Sequence, residues 1–319
     1  MSCESMDRFT KDCWFLTGPT ASGKSTLALA LAERFPVEIV ALDSMTFYRG
    51  MDIGTAKASP ADQARVPHHL IDVLDPSESA SVDWYLREAE RVCGKIRERG
   101  RKPLFVGGTP LYLKAALRGL FEGPPENRAI RERLAAEANE TGSALLHQRL
   151  AAVDPKAAER IHPSDLRRII RALEVHELTG RPITEWQNEF ALPANPPPAV
   201  ACLTRPRPEL YQRINDRVLS MLETGWIDET DRLLRLDPPM SRQAAQAVGY
   251  YEIGEFLAGR MDKATMVETI QRRTRRFCKH QETWFRHIEE CVILPTEQQE
   301  PETKVIERLT AFFRSHVDS

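Results

Sequence analysis

Gly18-Pro19-Thr20-Ala21-Ser22-Gly23-Lys24-Ser25 sets two glycines, a lysine and a hydroxyl at the spacing G-x-x-x-x-G-K-[ST]. That pattern suits a phosphate chain. The glycines let successive backbone N–H groups converge on phosphate oxygens, Lys24 adds a mobile positive charge, and the Ser25 hydroxyl is placed to ligate Mg2+. A second candidate is Asp43, which ends the apolar run Val37-Glu38-Ile39-Val40-Ala41-Leu42. A carboxylate there can hold Mg2+ or take a proton from a nucleophile, and it can also serve as a turn or N-cap residue. An ATPase of this type runs a further apolar strand into an aspartate. Here Leu104-Phe105-Val106 runs into Gly107-Gly108-Thr109 instead, which counts against ATP hydrolysis.

These residues need a frame. Cys13-Trp14-Phe15-Leu16 reads as a strand ahead of the glycine turn, and Thr26 to Ala32 as a helix whose unpaired N–H groups face the same anion. Val37 to Leu42 and His69-Leu70-Ile71-Asp72-Val73 read as further short strands. Between Ser81 and Arg99 apolar residues recur at Val82, Leu86, Ala89, Val92, Cys93 and Ile96, a helical period that stops at Gly100. Pro103 to Val106 is again strand-like. The alternation predicts an α/β fold, a P-loop NTPase-like parallel sheet flanked by helices, with its ligand crevice beyond the carboxyl ends of the strands. The glycine turn, Asp43 and Thr109 all fall at that edge.

Past Gly123-Pro124-Pro125 the pattern becomes short helical pieces, up to Asn195-Pro196-Pro197-Pro198. This predicts an all-helical insertion domain over 123–198, set into a core domain made of 1–122 and 199–319. The helix around Leu166, Ile169, Ile170 and Leu173 stops at Gly180. Val200 to Leu203 reads as a returning strand. The rest reads as mostly helical, over Glu209 to Glu223, Ile227 to Leu236, Ser241 to Leu257 and Asp262 to Arg286.

Composition bounds the function. The 319 residues are 42% hydrophobic and 28% charged with net charge −2, as expected of an ordinary water-soluble chain. No apolar run is long enough to cross a bilayer, so no membrane partner is expected. Met1 to Lys11, with Glu4, Asp7, Arg8 and Lys11, lacks the core of a secretory signal. Six cysteines without paired spacing predict free thiols and a cytoplasmic location. Arg272, Arg273, Arg275, Arg276, Lys279 and Arg286 stand against the single acid Glu282, and Arg167, Arg168 and Arg171 form a second basic group. Basic faces on a nearly neutral chain suit an anionic partner bound at a defined place. Cys278, His280, His287 and Cys291 raise the question of a metal. His287 and Cys291 could share a helix face, but Cys278 and His280 at i, i+2 cannot.

Taken in order, Gly18 to Ser25, Asp43 to Lys57, Pro67-His68-His69-Leu70-Ile71-Asp72, Val106 to Tyr112, Arg171 to Val175, Gln246 to Tyr250 and Thr283-Trp284-Phe285-Arg286 resemble the tRNA dimethylallyltransferases, over about residues 13–295. The resemblance implies transfer of a dimethylallyl group from dimethylallyl diphosphate to N6 of the adenosine 3′ to the anticodon, position 37, in tRNAs reading codons that begin with U. It implies a monomeric bacterial-type enzyme, without the zinc-finger extension of eukaryotic relatives. The glycine turn, Gly18, Pro19, Thr20, Ala21, Ser22, Gly23, Lys24 and Ser25, then cradles the diphosphate, with Mg2+ at Ser25. Asp43 acts as base, Thr109 orients the amine, and Arg217 joins Lys24 on the diphosphate.

The same resemblance implies contacts to the anticodon stem-loop from Asp43, Ser44, Met45, Thr46, Thr109, Arg131, Arg167, Arg168, Ile169, Ile170, Arg171, Gln246, Ala247, Val248, Gly249, Tyr250, Tyr251, Arg275, Lys279 and Arg286. The insertion domain and the C-terminal helices would grip the stem between them. Tyr251, His280 and Asp231 stand where relatives often carry basic residues. Two other classes stay open: a P-loop kinase of small molecules or nucleosides, and an RNA-binding protein with a relic glycine turn.

Overall fold

The computed structural model describes residues 9–10, 12–119, 123–186 and 200–315. The N-terminal stretch through Arg8 and the joint Asn195-Pro196-Pro197-Pro198 lie outside the described residues. The described residues fall into two compact units, 118–186 in one and those before 118 and after 199 in the other.

In the larger unit, short strands buried at nearly every position in the centre build a sheet covered on both faces. The strands are β1 (Trp14–Thr17), β2 (Val37–Ala41), β3 (His68–His69), β4 (Lys102–Gly107), β5 (Val200–Thr204) and β6 (Cys291–Pro295). They lie in the order β3-β2-β4-β1-β5-β6, and every pairing is parallel. β1 is central, with Leu16 beside Val106 of β4 and Ala201 of β5. Trp14, Leu16, Ile39, Leu104, Ala201 and Leu203 point to one face, where they pack on Leu27, Leu31 and the C-terminal Leu309 and Phe313. Their neighbours in the strands point the other way, so that Phe15 stacks on Phe105 at 4.7 Å. Each such buried side chain contributes about 1.5–3 kcal/mol.

The helices α1 (Lys24–Ala32), α2 (Pro60–Arg65), α3 (Val82–Glu98) and α4 (Pro110–Arg118) precede the helical unit. As its period predicts, α3 buries Leu86, Ala89, Val92, Cys93 and Ile96, and Ser81 caps it through the Trp84 N–H. The helical unit contains α5 (Arg128–Thr141), α6 (Ser143–Val153), α7 (Pro155–Arg160), α8 (Leu166–Thr179) and α9 (Ile183–Trp186). Leu134, Leu146, Leu150, Ile169 and Leu173 meet in its own core. Gly180, at φ 69°, ends α8 where expected.

After β5 come α10 (Arg207–Glu223), α11 (Trp226–Leu234), α12 (Arg242–Ala245), α13 (Tyr250–Leu257), α14 (Lys263–Phe285) and α15 (Glu302–Arg314). Three expectations change. The strand over His69 to Val73 shrinks to His68–His69, because Leu70 and Asp72 adopt positive φ and Val73 turns its amide to the Phe47 carbonyl. The helix over Ser241 to Leu257 breaks before Gly249, at φ 94°. And Cys291 opens an edge strand, so it cannot share a helix face with His287, which itself follows the end of α14. No group of three or more metal-ligating side chains occurs among the described residues.

Candidate active site

The glycine turn joins β1 to α1 in a conformation that only its sequence permits. Gly18 has φ 138°, and a Cβ there would lie 2.3 Å from the Leu203 carbonyl oxygen. Gly23, at φ 96°, starts α1. The amides of Gly23, Lys24, Ser25 and Thr26 find no acceptor among the described residues, which leaves them free for an anion. Lys24 folds its ammonium over the loop and donates to the Pro19 carbonyl at 2.7 Å. Burial lowers its pKa to about 8, with the nearby Arg217 adding to the effect.

Asp43 stands just past β2. Its Oδ1 accepts from the amides of Met45 at 2.8 Å and Thr46 at 3.3 Å, and its other oxygen makes no hydrogen bond with the described residues. Burial holds its pKa above the usual carboxylate range, against the pull of those two amides, Lys24 and Arg217. The chain after Asp43 is pinned from two sides. Lys57 reaches the Tyr48 carbonyl at 2.8 Å, Asp52 at 2.6 Å and Asp72 at 2.5 Å. Glu229 of α11 accepts from the successive amides of Asp52, Ile53 and Gly54.

Lys24, Ser25, Asp43 and Thr46 line one cavity of about 620 Å³, together with Arg213 and Arg217 of α10. Arg217 makes no hydrogen bond or ion pair among the described residues, and its pKa is lowered by burial and by Arg213. Thr20, Ala21 and Gly23 also line the cavity, and Phe277 of α14 offers it an exposed aromatic ring. Thr109 is not among the lining residues. Its amide bonds the Leu42 carbonyl and its carbonyl accepts from Tyr112 and Leu113 at the start of α4. β4 runs into Gly107 and Gly108 with no carboxylate at its end.

The residues expected on RNA divide by exposure. Arg167, Arg168, Gln246, Tyr251, Lys279 and Arg286 are exposed, and Ser44, Met45, Ala247 and Val248 half-buried. Ile169 and Ile170 belong to the helical core, so their side chains are closed to a ligand. Tyr250 and Gly249 are buried against Trp226, whose ring would lie 2.0 Å from a Cβ on Gly249. Arg131 and Arg171 both bond the buried Glu174, and Arg275 donates to the Asn215 side chain at 2.6 Å. For these the packing supplies a structural role that the motifs did not reveal.

Sequence reasoning passed over Glu229, Trp226, Arg205, Arg213, Phe277 and Gln281. For Gln281 a signal existed: it continues the buried stripe Met266, Ile270, Cys278, Phe285 of α14, where an apolar residue is the norm.

Residues 46–288 match the family model described as IPP transferase. The chain is 49% identical over 272 residues to the tRNA dimethylallyltransferase of Desulfosudis oleivorans, covering 85% of this chain and 87% of that one. It is 46% identical to that of Geobacter sulfurreducens, covering 85% and 88%. Among solved structures, the tRNA isopentenylpyrophosphate transferase of Bacillus halodurans superposes with TM-score 0.70 at 37% identity, covering 96% of this chain and 97% of that one. A eukaryotic dimethylallyltransferase acting on tRNA shares the fold with TM-score 0.76 at 24% identity, covering 95% and 80%. A phosphate loop, a cavity carboxylate and this extent of likeness lead to one conclusion: the chain belongs to the IPP transferase family.

Proposed function

We propose that this chain transfers the dimethylallyl group of dimethylallyl diphosphate to the exocyclic N6 of the adenosine 3′ to the anticodon of tRNA. The carrying observation is that one Asp43 oxygen is unpartnered inside the cavity that also holds Lys24, Arg213, Arg217 and the open amides of the phosphate loop. The diphosphate sits on those amides as leaving group rather than as a source of hydrolytic energy. As the C1–O bond breaks, its electron pair goes to the diphosphate oxygen, where Lys24, Arg213 and Arg217 meet the growing charge. The N6 lone pair forms the new bond to C1, and the N6 proton passes to Asp43.

The residues fit a divalent cation. The Ser25 hydroxyl makes no hydrogen bond with the described residues and, with diphosphate oxygens, gives the hard oxygen set that Mg2+ prefers. Bound there, Mg2+ would neutralise diphosphate charge. The target base must leave its stack to enter the cavity, and the ring of Phe277 offers it a stacking surface. Arg167 and Arg168 of the helical unit, Lys279 of α14 and Arg286 just past its end contact RNA phosphates in this reading. Thr109, one residue beyond the cavity-lining Gly108, orients the amine through its hydroxyl in this reading. No described helix is long and apolar enough to cross a membrane. A tRNA substrate places the protein in the cytoplasm, where it acts as a monomer.

The test is incubation with labelled dimethylallyl diphosphate, unmodified tRNA and Mg2+. Label appears in RNA at that adenosine, and a chelator stops the transfer until Mg2+ is restored. Absence of label in RNA with folded protein overturns the reading.

A further inference from the structure

Three side chains from outside the phosphate loop hold the backbone of three consecutive residues in it. Gln281 accepts from the Thr20 amide at 2.8 Å, Arg213 donates to the Ala21 carbonyl at 2.8 Å, and Arg205 donates to the Ser22 carbonyl at 2.9 Å. Gln281 does something the arginines do not. Its Nε2 also donates to the Gly108 carbonyl at 2.6 Å, so one side-chain amide ties the loop after β1 to the turn after β4. At 3% exposure this amide is far from water, and both its ends are bonded. The fit is close: a Cβ on Gly108 would lie 2.6 Å from Gln281 Nε2 and 3.2 Å from the Gly18 carbonyl oxygen.

This arrangement has consequences for an anion. The Thr20 amide is committed to Gln281 and the Ser22 amide to the Pro19 carbonyl, so an anion must use the Ala21 amide and those from Gly23 onward. The spacing between the two turns that border the cavity is also set before any ligand arrives. Binding an anion to a loop already in place avoids the cost of ordering it.

We propose that Gln281 is a positioning residue for the diphosphate, acting through Thr20 and Gly108 to preset the phosphate loop. This rests on reading the glycine turn as a diphosphate site, but it assigns Gln281 to the anion end of the reaction and not to RNA, although its neighbours Lys279 and His280 are exposed.

The probe is inorganic pyrophosphate with Mg2+, measured by calorimetry on the full chain. Gln281→Leu keeps the volume and removes both bonds. It weakens pyrophosphate binding by about tenfold or more, the loss expected when a loop must be ordered on binding. The KM for dimethylallyl diphosphate rises in proportion, while kcat stays within about threefold because Asp43 is untouched.

Gln281→Glu gives a sharper readout. A protonated carboxyl can accept from Thr20 and donate to Gly108, whereas an ionised one confronts the Gly108 carbonyl with no proton between them. The ratio of its pyrophosphate affinity to that of the wild type at the same pH therefore recovers on acidification. A merely structural role predicts a ratio that does not change with pH, and such a ratio overturns the proposal. So does a folded Gln281→Leu variant that binds pyrophosphate within about twofold of wild type, below what lost preorganisation implies. If the leucine variant does not fold, the glutamate series decides alone. Wild-type protein that binds pyrophosphate but adds no prenyl group to RNA overturns the transferase reading and leaves this one standing. Wild-type protein that binds no pyrophosphate overturns both.

Discussion

The carboxylate of Glu229 and the hydroxyl of Tyr250 meet at 2.7 Å beneath the segment that follows Asp43. The same carboxylate accepts three successive amides of that segment, so a buried charge on α11 organises the cavity wall without entering it. Trp226 lies between Gly54 and Gly249, where a Cβ on either would approach its ring to 2.1 Å and 2.0 Å.

Tyr250→Phe therefore removes a hydrogen bond to a buried charge and leaves the ring in place. It lowers unfolding stability by about 1.5–3 kcal/mol, read from the denaturant midpoint at constant slope. Its affinity for tRNA stays within about twofold of wild type, because a side chain this buried offers nothing to a ligand. A tRNA affinity that collapses while stability holds would return Tyr250 to the RNA-contacting set.

Asp43→Asn separates the base from the turn. Asparagine keeps an oxygen for the Met45 and Thr46 amides but cannot take the proton. We expect kcat to fall by about 10²–10⁴-fold with tRNA binding retained. In the wild type, kcat/KM falls as pH drops through the Asp43 pKa, because the base must be ionised. That limb lies above the range of an ordinary aspartate, since burial raises the pKa. Single-turnover rates against pH check both statements, and the limb disappears in the variant.

Much of this site was legible in the sequence because its signals are local. The glycine turn is read from eight adjacent residues and the strand before it, and Asp43 from the apolar run it ends. The sheet followed from alternation of periods, since each short run had turn residues on both sides. What stayed hidden depends on contacts distant in the chain. Glu229 meets its partners 175 to 177 residues away, and Gln281 meets Thr20 across 261. Tyr250 sits in a motif that reads as a ligand contact, but Trp226 and Glu229 make it part of the core. β6 was lost for a different reason. Val292 and Ile293 are exposed on an edge strand, so they show neither alternation nor full burial.

Lys24 gives a prediction at alkaline pH. Its pKa, lowered to about 8 by burial and Arg217, means that the free protein loses this positive charge as pH rises through that value. A bound diphosphate favours the charged form, so affinity is full below about 8 and declines above it. The KM for dimethylallyl diphosphate then climbs on the alkaline side, while kcat at saturation shows no matching loss. A KM flat to pH 9.5 or so would mean that Lys24 does not meet the diphosphate, as a group titrating with a bound anion must show in its affinity.

The basic stretch of α14 does two kinds of work, and charge removal tells them apart. Arg273 pairs with the buried Glu252, and Arg275 with the Asn215 side chain, so alanine at either appears mainly as lost stability. Lys279 is exposed and forms no ion pair among the described residues, and Arg286 is exposed with only a bond to the Glu282 carbonyl. If these two meet phosphates, Lys279→Ala and Arg286→Ala each weaken tRNA binding and reduce the slope of log affinity against log salt by about 1. The loss is similar for every tRNA tested, because a phosphate contact carries no sequence information. The KM for dimethylallyl diphosphate stays at its wild-type value in both variants, since neither residue lines the cavity. Filter binding across a salt series, paired with steady-state kinetics, measures the two effects independently. An unchanged salt slope would assign this face to solvent.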